Sequence, residues 1–233
     1  MAVWIGTSGY NYPEWRGSFY PEKFPTGKML AYYAERFRAV EINYTFYRMP
    51  NAKTLAGWDA DTPAGFRFAL KAPQRITHFA RLKDVAEPLG YFLDTIATLG
   101  AKLGPVLFQL PPNFRKDLGR LADLLARLPR HRAFAFEFRH ESWFSDDVYE
   151  ALKAANAAVC IADTEKGTTP LAATADFGYF RLRDEGYSDD ELAAWIGTMQ
   201  QLGAGWQDAF VYFKHEEAGT GPILARRLQE LMR

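Results

Sequence analysis

The chain has 233 residues, enough for one large domain with a sizeable buried core. Its 28 basic and 28 acidic side chains cancel, which excludes a global field steering it to nucleic acid or anionic lipid, though not a local basic cluster. A lone cysteine, Cys160, excludes a disulfide framework and a thiolate metal site, and no apolar stretch nears the ~20 residues that span a bilayer, so the expected compartment is the reducing cytoplasm.

The opening "MAVWIGTSG" reads as an immediate strand, not as a basic region followed by an apolar signal segment. Seven further β-rich runs follow the first, Ala2–Gly6. They are Ala39–Asn43, Phe66–Lys71, Pro105–Leu110, Ala133–Arg139, Ala157–Asp163, Phe177–Arg183 and Ala209–Lys214. Amphipathic stretches lie between them: Asp84–Leu99, Asp117–Leu128, Asp146–Ala155, Asp189–Leu202 and Gly221–Met232. Ser145-Asp146-Asp147 and Ser188-Asp189-Asp190 suit helix starts, where a short oxygen-bearing side chain satisfies orphan amides and acidic groups complement the dipole. End-to-end alternation of strand and helix without repeats or linkers predicts an α/β fold, a compact (β/α)8 barrel in one domain over residues 1–233. An open doubly wound sheet is the rival. "GTSGYNY" lacks the G-x-G-x-x-G spacing such a sheet would place after its first strand.

Strand side chains alternate between faces, so parity separates the barrel interior from the helix-facing side. In the fifth run Phe134, Phe136 and Phe138 face the helices, leaving Ala133, Ala135, Glu137 and Arg139 inward. The same rule sends Glu41 and Asn43, Arg67 and Lys71, Gln109, Tyr179, Arg181 and Arg183, and Tyr212 and Lys214 inward, with Trp4, Gly6 and Ser8 from the first run. The sixth run stays ambiguous between Asp163 and Thr164. Barrel interiors are usually apolar, and buried ions must be paired, so charges gathered at strand C-termini locate a site or a structural network. In the structural version, Glu41 or Glu137 neutralises Arg67, Arg139 or Arg181.

"GTSGYNYPEWRGSFYP", "EINYTFYRMP", "FALKAPQRITHFARL", "VLFQLPPNF" and "AFEFRHESW" together resemble the hallmark segments of the YecE-like family, domain-of-unknown-function family seventy-two. The resemblance covers nearly the whole chain. It implies a TIM-type barrel and brings no established activity. Near the end, "VYFKHEEAGTG" departs from the family's "YFNN" pattern and puts Lys214 and His215 in place of amides.

Glu137 is the first candidate for general acid or base, with a salt bridge to Arg181 as the alternative. Glu41 supplies a second carboxylate that could share acid–base work on a sugar. Lys71 could form a Schiff base or hold an anion, against plain ion pairing with Glu41 or Glu137. Arg139, Arg181, Arg183 and Lys214 put positive charge on one face, which suits phosphate or carboxylate, against a solvated rim for Arg183. Gln109 and Asn43 join the ligand-binding candidates as neutral groups, and His78 as a possible single-histidine acid–base group. Trp15 heads an aromatic first loop that could stack on a ring or pack as a plug. The histidines show no ligand spacing, so neither a metal nor another cofactor is expected.

The expected function is binding of a small anionic, phosphorylated or sugar-like molecule. Any catalysis would be metal-independent, of lyase, isomerase or hydrolase type. A divalent-metal hydrolase or isomerase is one alternative; a non-catalytic module for anions, with nucleic acid open but not favoured, is the other. Oligomeric state is not legible.

Overall fold

The β-rich runs pair side by side because, apart from the inward polar side chains, they are largely apolar on both faces, the pattern of a parallel sheet covered by helices. The computed structural model describes residues 1–184 and 186–233. In chain order it contains β1 (Ala2–Thr7), α1 (Met29–Ala34), β2 (Ala39–Ile42), α2 (Tyr44–Tyr47), α3 (Ala52–Ala60), β3 (Arg67–Lys71), α4 (Ala86–Ile96), β4 (Leu103–Gln109) and α5 (Leu118–Leu125). There follow β5 (Phe134–Glu137), α6 (Asp146–Ala154), β6 (Ala158–Thr164), β7 (Gly167–Thr168), β8 (Phe177–Leu182), α7 (Asp189–Leu202), β9 (Asp208–Phe213) and α8 (Thr220–Leu231). The sheet runs β1-β9-β8-β6-β5-β4-β3-β2, all parallel, with the two-residue β7 an antiparallel arm on β6. This is the α/β barrel expected from the alternation. Among the described residues no helix is long and apolar enough to cross a membrane.

Two details differ from the sequence expectation. The short helices α1 and α2 carry too few turns for a periodic signal. Helix α3, as long as α6, buries Leu55 and Trp58 and is marked by the Asn51 side chain, which accepts from the Thr54 amide at 2.9 Å. Ser188 caps α7 in a reciprocal box with Glu191, but Ser145 does not cap α6. Its hydroxyl instead donates to Asp147 at 2.6 Å, and Asp147 accepts from the Val148 amide.

Two hydrophobic groupings follow the parity of the strands. The outer one packs Phe134, Phe136 and Phe138 with Val106, Phe108 and the helices. The inner one fills the barrel with Trp4, Ala39, Ala69, Leu107, Ala135, Ala158, Cys160, Ala162, Phe177, Tyr179, Phe210 and Tyr212. Small residues on β2, β3, β5 and β6 leave room for the rings of Tyr179, Phe210 and Tyr212. Parity in β6 is thereby resolved. Cys160 and Ala162 point inward, so Asp163 points outward, accepting from Tyr187 at 2.7 Å and Thr168 at 2.5 Å.

The seam between β1 and β2 closes the barrel with few ladder bonds. Ser8 bridges to Glu41, and the Gly9 amide donates to the Glu41 carbonyl at 2.8 Å. A side chain at Gly6 is excluded, since a Cβ there would lie 2.0 Å from the Ala39 carbonyl oxygen. The buried Tyr33 hydroxyl fills the gap: it accepts from the Thr7 amide at 2.8 Å and donates to the Ala39 carbonyl at 3.0 Å. Tyr33→Phe strands both backbone groups, so a loss of about 1–3 kcal/mol is expected in urea unfolding. A loss below a few tenths would mean that the seam does not depend on that hydroxyl.

Candidate functional site

Aligned parallel register puts partnered residues on the same side of the sheet, so it carries inwardness from strand to strand. Gln109 is level with Glu137, Lys71 with Leu107, and Arg181 with both Ala162 and Tyr212. The result is a layer of polar side chains over the C-terminal end of the barrel. Its centre is Arg181, 1 % exposed. One terminal nitrogen of its guanidinium donates to Glu137; the other donates to Glu41 at 2.9 Å and to the Ser8 hydroxyl at 3.3 Å. Glu41 also accepts from Ser8 and, at 2.6 Å, from the Tyr179 hydroxyl. Asn43 lies within the same network and donates to Ser8 at 2.9 Å.

Glu137 gathers two more cations. Arg139 Nε donates to it at 2.9 Å, and a terminal nitrogen of Arg183 stands 3.9 Å away. Burial pushes the Glu137 carboxyl up, but the guanidinium groups of Arg181, Arg139 and Arg183 outweigh it and hold the group well below the usual carboxylate range. A carboxylate fixed in its ionised form is an anchor for arginines. The geometry shows the salt bridge to Arg181 that stood as the alternative to an acid–base role, with two further cations that sequence parity cannot count. Arg67, the other cation considered for pairing, lies at the opposite end of the barrel, its guanidinium carbon 4.8 Å from the Trp4 ring centre.

Lys71 behaves differently from the arginines. It is 9 % exposed, and its Nζ lies 4.0 Å from the centre of the Phe46 ring. Among the described residues Nζ makes no hydrogen bond and reaches no carboxylate within ion-pair distance. Glu41 and Glu137 are already engaged, so the expected pairing of Lys71 with either of them is not made. Burial and the neighbouring Arg181 lower its ammonium from 10.5 to about 7, with Glu41 and Glu137 opposing. His78 sits on a wide π-type turn, Arg75–Phe79, and meets Phe46 edge-on at 4.8 Å. Burial, Lys71 and Arg139 lower it to about 4, so at neutral pH it is an uncharged imidazole.

The remaining candidates divide. Gln109 is buried in the mouth, and its carbonyl oxygen has no partner among the described residues; the same holds for Arg183 Nε. Lys214 lies at the rim, 3.8 Å from Glu216, its ammonium lowered by burial and by Arg181. Trp15 is placed elsewhere, as packing: it is 1 % exposed, wedged among Tyr12, Phe19 and Tyr20, and its indole donates to the Glu216 carbonyl at 2.9 Å. No stacking face is left for a ligand, which corrects its place among the binding candidates. Sequence reasoning overlooked Ser8, Tyr179 and Phe46 as site residues. Inward parity singled out the first two, whereas the tilt of Phe46 over Lys71 leaves no local mark.

Among the described residues no group of three or more His, Cys, Asp or Glu side chains is placed to hold a metal ion. A recess of about 430 Å³ adjoins the mouth through Phe46, walled by Tyr47, Phe79 and Tyr91 with Arg48 and Arg75. A recess of about 490 Å³ opens at the other end, between Arg67, Arg130 and Arg132. Its carboxylates are occupied, Asp208 by the Trp4 indole and Asp176 by Asn156 and Gln207. It lies away from the polar layer.

The family model described as "Protein of unknown function DUF72" matches residues 4–233. The curated protein YunF of Bacillus subtilis, a UPF0759 protein, is 26 % identical, with 99 % of this chain and 94 % of that protein covered. A crystal structure of a DUF72 family protein from Thermotoga maritima is 28 % identical and superposes with a TM-score of 0.90, over 100 % of this chain and 99 % of that one. One from Enterococcus faecalis, 17 % identical with a TM-score of 0.81 over 99 % and 95 %, shares the fold.

Proposed function

We propose that this chain, which belongs to the DUF72 family, binds a small anionic molecule, phosphorylated or sugar-like, at the C-terminal mouth of its barrel. The observation that carries the reading is a surplus of cations. Among the described residues two carboxylates, Glu41 and Glu137, face Arg181, Arg139, Arg183 and Lys71. Arg181 is spent on the carboxylates. Arg139 and Arg183 each keep donors beyond their contact with Glu137, in the planar fork that matches phosphate or carboxylate oxygens. The aromatic recess beside Phe46 offers ring faces for the uncharged part of such a molecule. The ligand meets Arg139, Arg183 and Lys71 first, with Lys214, His78 and Gln109 around it. Any chemistry is metal-independent and of lyase, isomerase or hydrolase type, with proton transfer at Lys71 rather than Glu137.

Thermal unfolding in inorganic phosphate, against chloride at the same ionic strength and pH 7, tests this. A ligand at a hundredfold its Kd adds about 2.7 kcal/mol, or roughly 5 to 10 °C for a domain of this size. The expected result is a saturable rise that the double variant Arg139→Met/Arg183→Met loses at least tenfold in affinity. No rise with phosphate, or a rise the double variant keeps, counts against the reading. Tight binding of a single-stranded oligonucleotide that phosphate does not displace would favour a nucleic-acid module instead.

A further inference from the structure

We propose that Lys71 is a carbonyl-condensing amine, which forms an iminium with an aldehyde or ketone whose anionic group is held by Arg139 and Arg183. The inference rests on the anion-binding reading of the mouth and names the class of substrate that site takes.

The geometry around Nζ sets Lys71 apart from lysines that serve structure. Lys102 donates to the carbonyls of Asp59 and Thr62 and pairs with the Asp59 carboxylate; Lys116 pairs with Asp147 at 2.9 Å. Lys71 is more buried than Lys116 yet uses none of its donors on a hydrogen bond among the described residues, resting on the Phe46 ring instead. The carboxylates that would have quenched it are diverted, Glu41 to Arg181, Ser8 and Tyr179, and Glu137 to the three arginines. A structural cation would be placed on those carboxylates. A nucleophile has to be kept off them, since a paired ammonium has no free electron pair. Burial and the positive charge of Arg181 favour the neutral amine near pH 7, as the nucleophile requires.

In the reaction, the Nζ electron pair attacks the carbonyl carbon and the carbonyl π pair moves to oxygen. A proton passes from nitrogen to that oxygen to give a carbinolamine. The hydroxyl takes one proton from solvent and leaves as water, while the nitrogen pair closes the C=N bond. Amine, carbonyl compound and one proton thus become iminium and water, with no change of oxidation state. The carbonyl oxygen of Gln109, on the neighbouring strand and without a partner among the described residues, is assigned as the acceptor for the carbinolamine hydroxyl.

The test uses the intact protein at pH 7 with glycolaldehyde phosphate, trapped by sodium cyanoborohydride and mapped by peptide mass spectrometry. Uncharged glycolaldehyde runs in parallel. The expected result is label at Lys71 at least tenfold above any other lysine, slowed at least tenfold by inorganic phosphate and absent in Lys71→Met. Label spread evenly over the lysines, in a protein that phosphate still stabilises, overturns the amine role and leaves the anion site standing. Equal labelling of Lys71 by glycolaldehyde, without protection by phosphate, overturns the assignment of an anionic carbonyl substrate. If phosphate also fails to stabilise the protein, the anion-binding reading falls with it.

Discussion

Arg181→Met is expected to destabilise the protein by about 3–5 kcal/mol, the usual cost of removing one member of a buried ion network. In thermal unfolding that is a fall of roughly 6 to 20 °C. The guanidinium is 1 % exposed and lies between Glu41 and Glu137, which are themselves 0 % and 1 % exposed. Methionine fills much of the same volume but leaves two carboxylates facing each other with Ser8, Tyr179, Arg139 and Arg183 as their remaining partners among the described residues. Adding Glu41→Gln and Glu137→Gln to the variant is expected to recover much of the loss, because the penalty belongs to unpaired charge and not to missing bulk. A single variant within about 1 kcal/mol of the parent would show that the network holds little of the fold.

The same network sets the response to acid. The folded-state pKa of Glu137 is depressed, so its contribution is present above the ordinary carboxylate range and is lost as pH falls through the lower folded value. The parent chain should therefore lose this part of its stability progressively as pH falls below ~4.5, down to the depressed folded value, while Arg181→Met, with a less depressed Glu137, has less to lose and finishes losing it at a higher pH.

Lys71→Met is expected to stabilise the protein, most strongly below pH ~7, with the gain fading toward pH ~10. Lys71 is a lysine whose folded pKa lies below its unfolded one, from 10.5 down to about 7. Between those values the unfolded chain binds the proton more often than the folded one, so the parent's stability rises with pH across that window. Below it the ammonium is charged in both states, and the folded protein bears the full cost of desolvating it. At about 1.4 kcal/mol per tenfold change in the proton equilibrium, that cost is bounded at roughly 5 kcal/mol. Urea titrations of parent and variant at pH 6, 8 and 10 measure it. A gain that does not vary with pH would assign the effect to packing against Phe46, and a loss of stability would mean that the ammonium is well solvated or paired.

Much of the barrel was legible because its signals are local. Strand periodicity is two, so a few consecutive residues suffice to send Phe134, Phe136 and Phe138 outward and Glu137 inward, and the inner and outer groupings keep that division. Helices with several amphipathic turns were equally visible. The four-residue α2 was not, since one turn carries no period. The long aromatic first loop was legible as a cluster of rings but not as packing, because what occupies the Trp15 indole is a carbonyl 201 residues further along.

What the sequence determined by itself is therefore the fold, and the set of polar side chains directed to one end of it: Glu41, Lys71, Gln109, Glu137 and Arg181 all point where parity sends them. What only the tertiary structure decided is which of these charges neutralise one another. Arg181 meets Glu137 across 44 residues and Glu41 across 140, through barrel closure and strand register that no local stretch encodes. Coulomb energy and desolvation depend on ångström-scale separations and on depth below the surface. That is why two inward carboxylates, alike in the sequence as acid–base candidates, are taken up by arginines, while the lysine beside them is buried without an ion pair among the described residues, its ammonium lowered by burial.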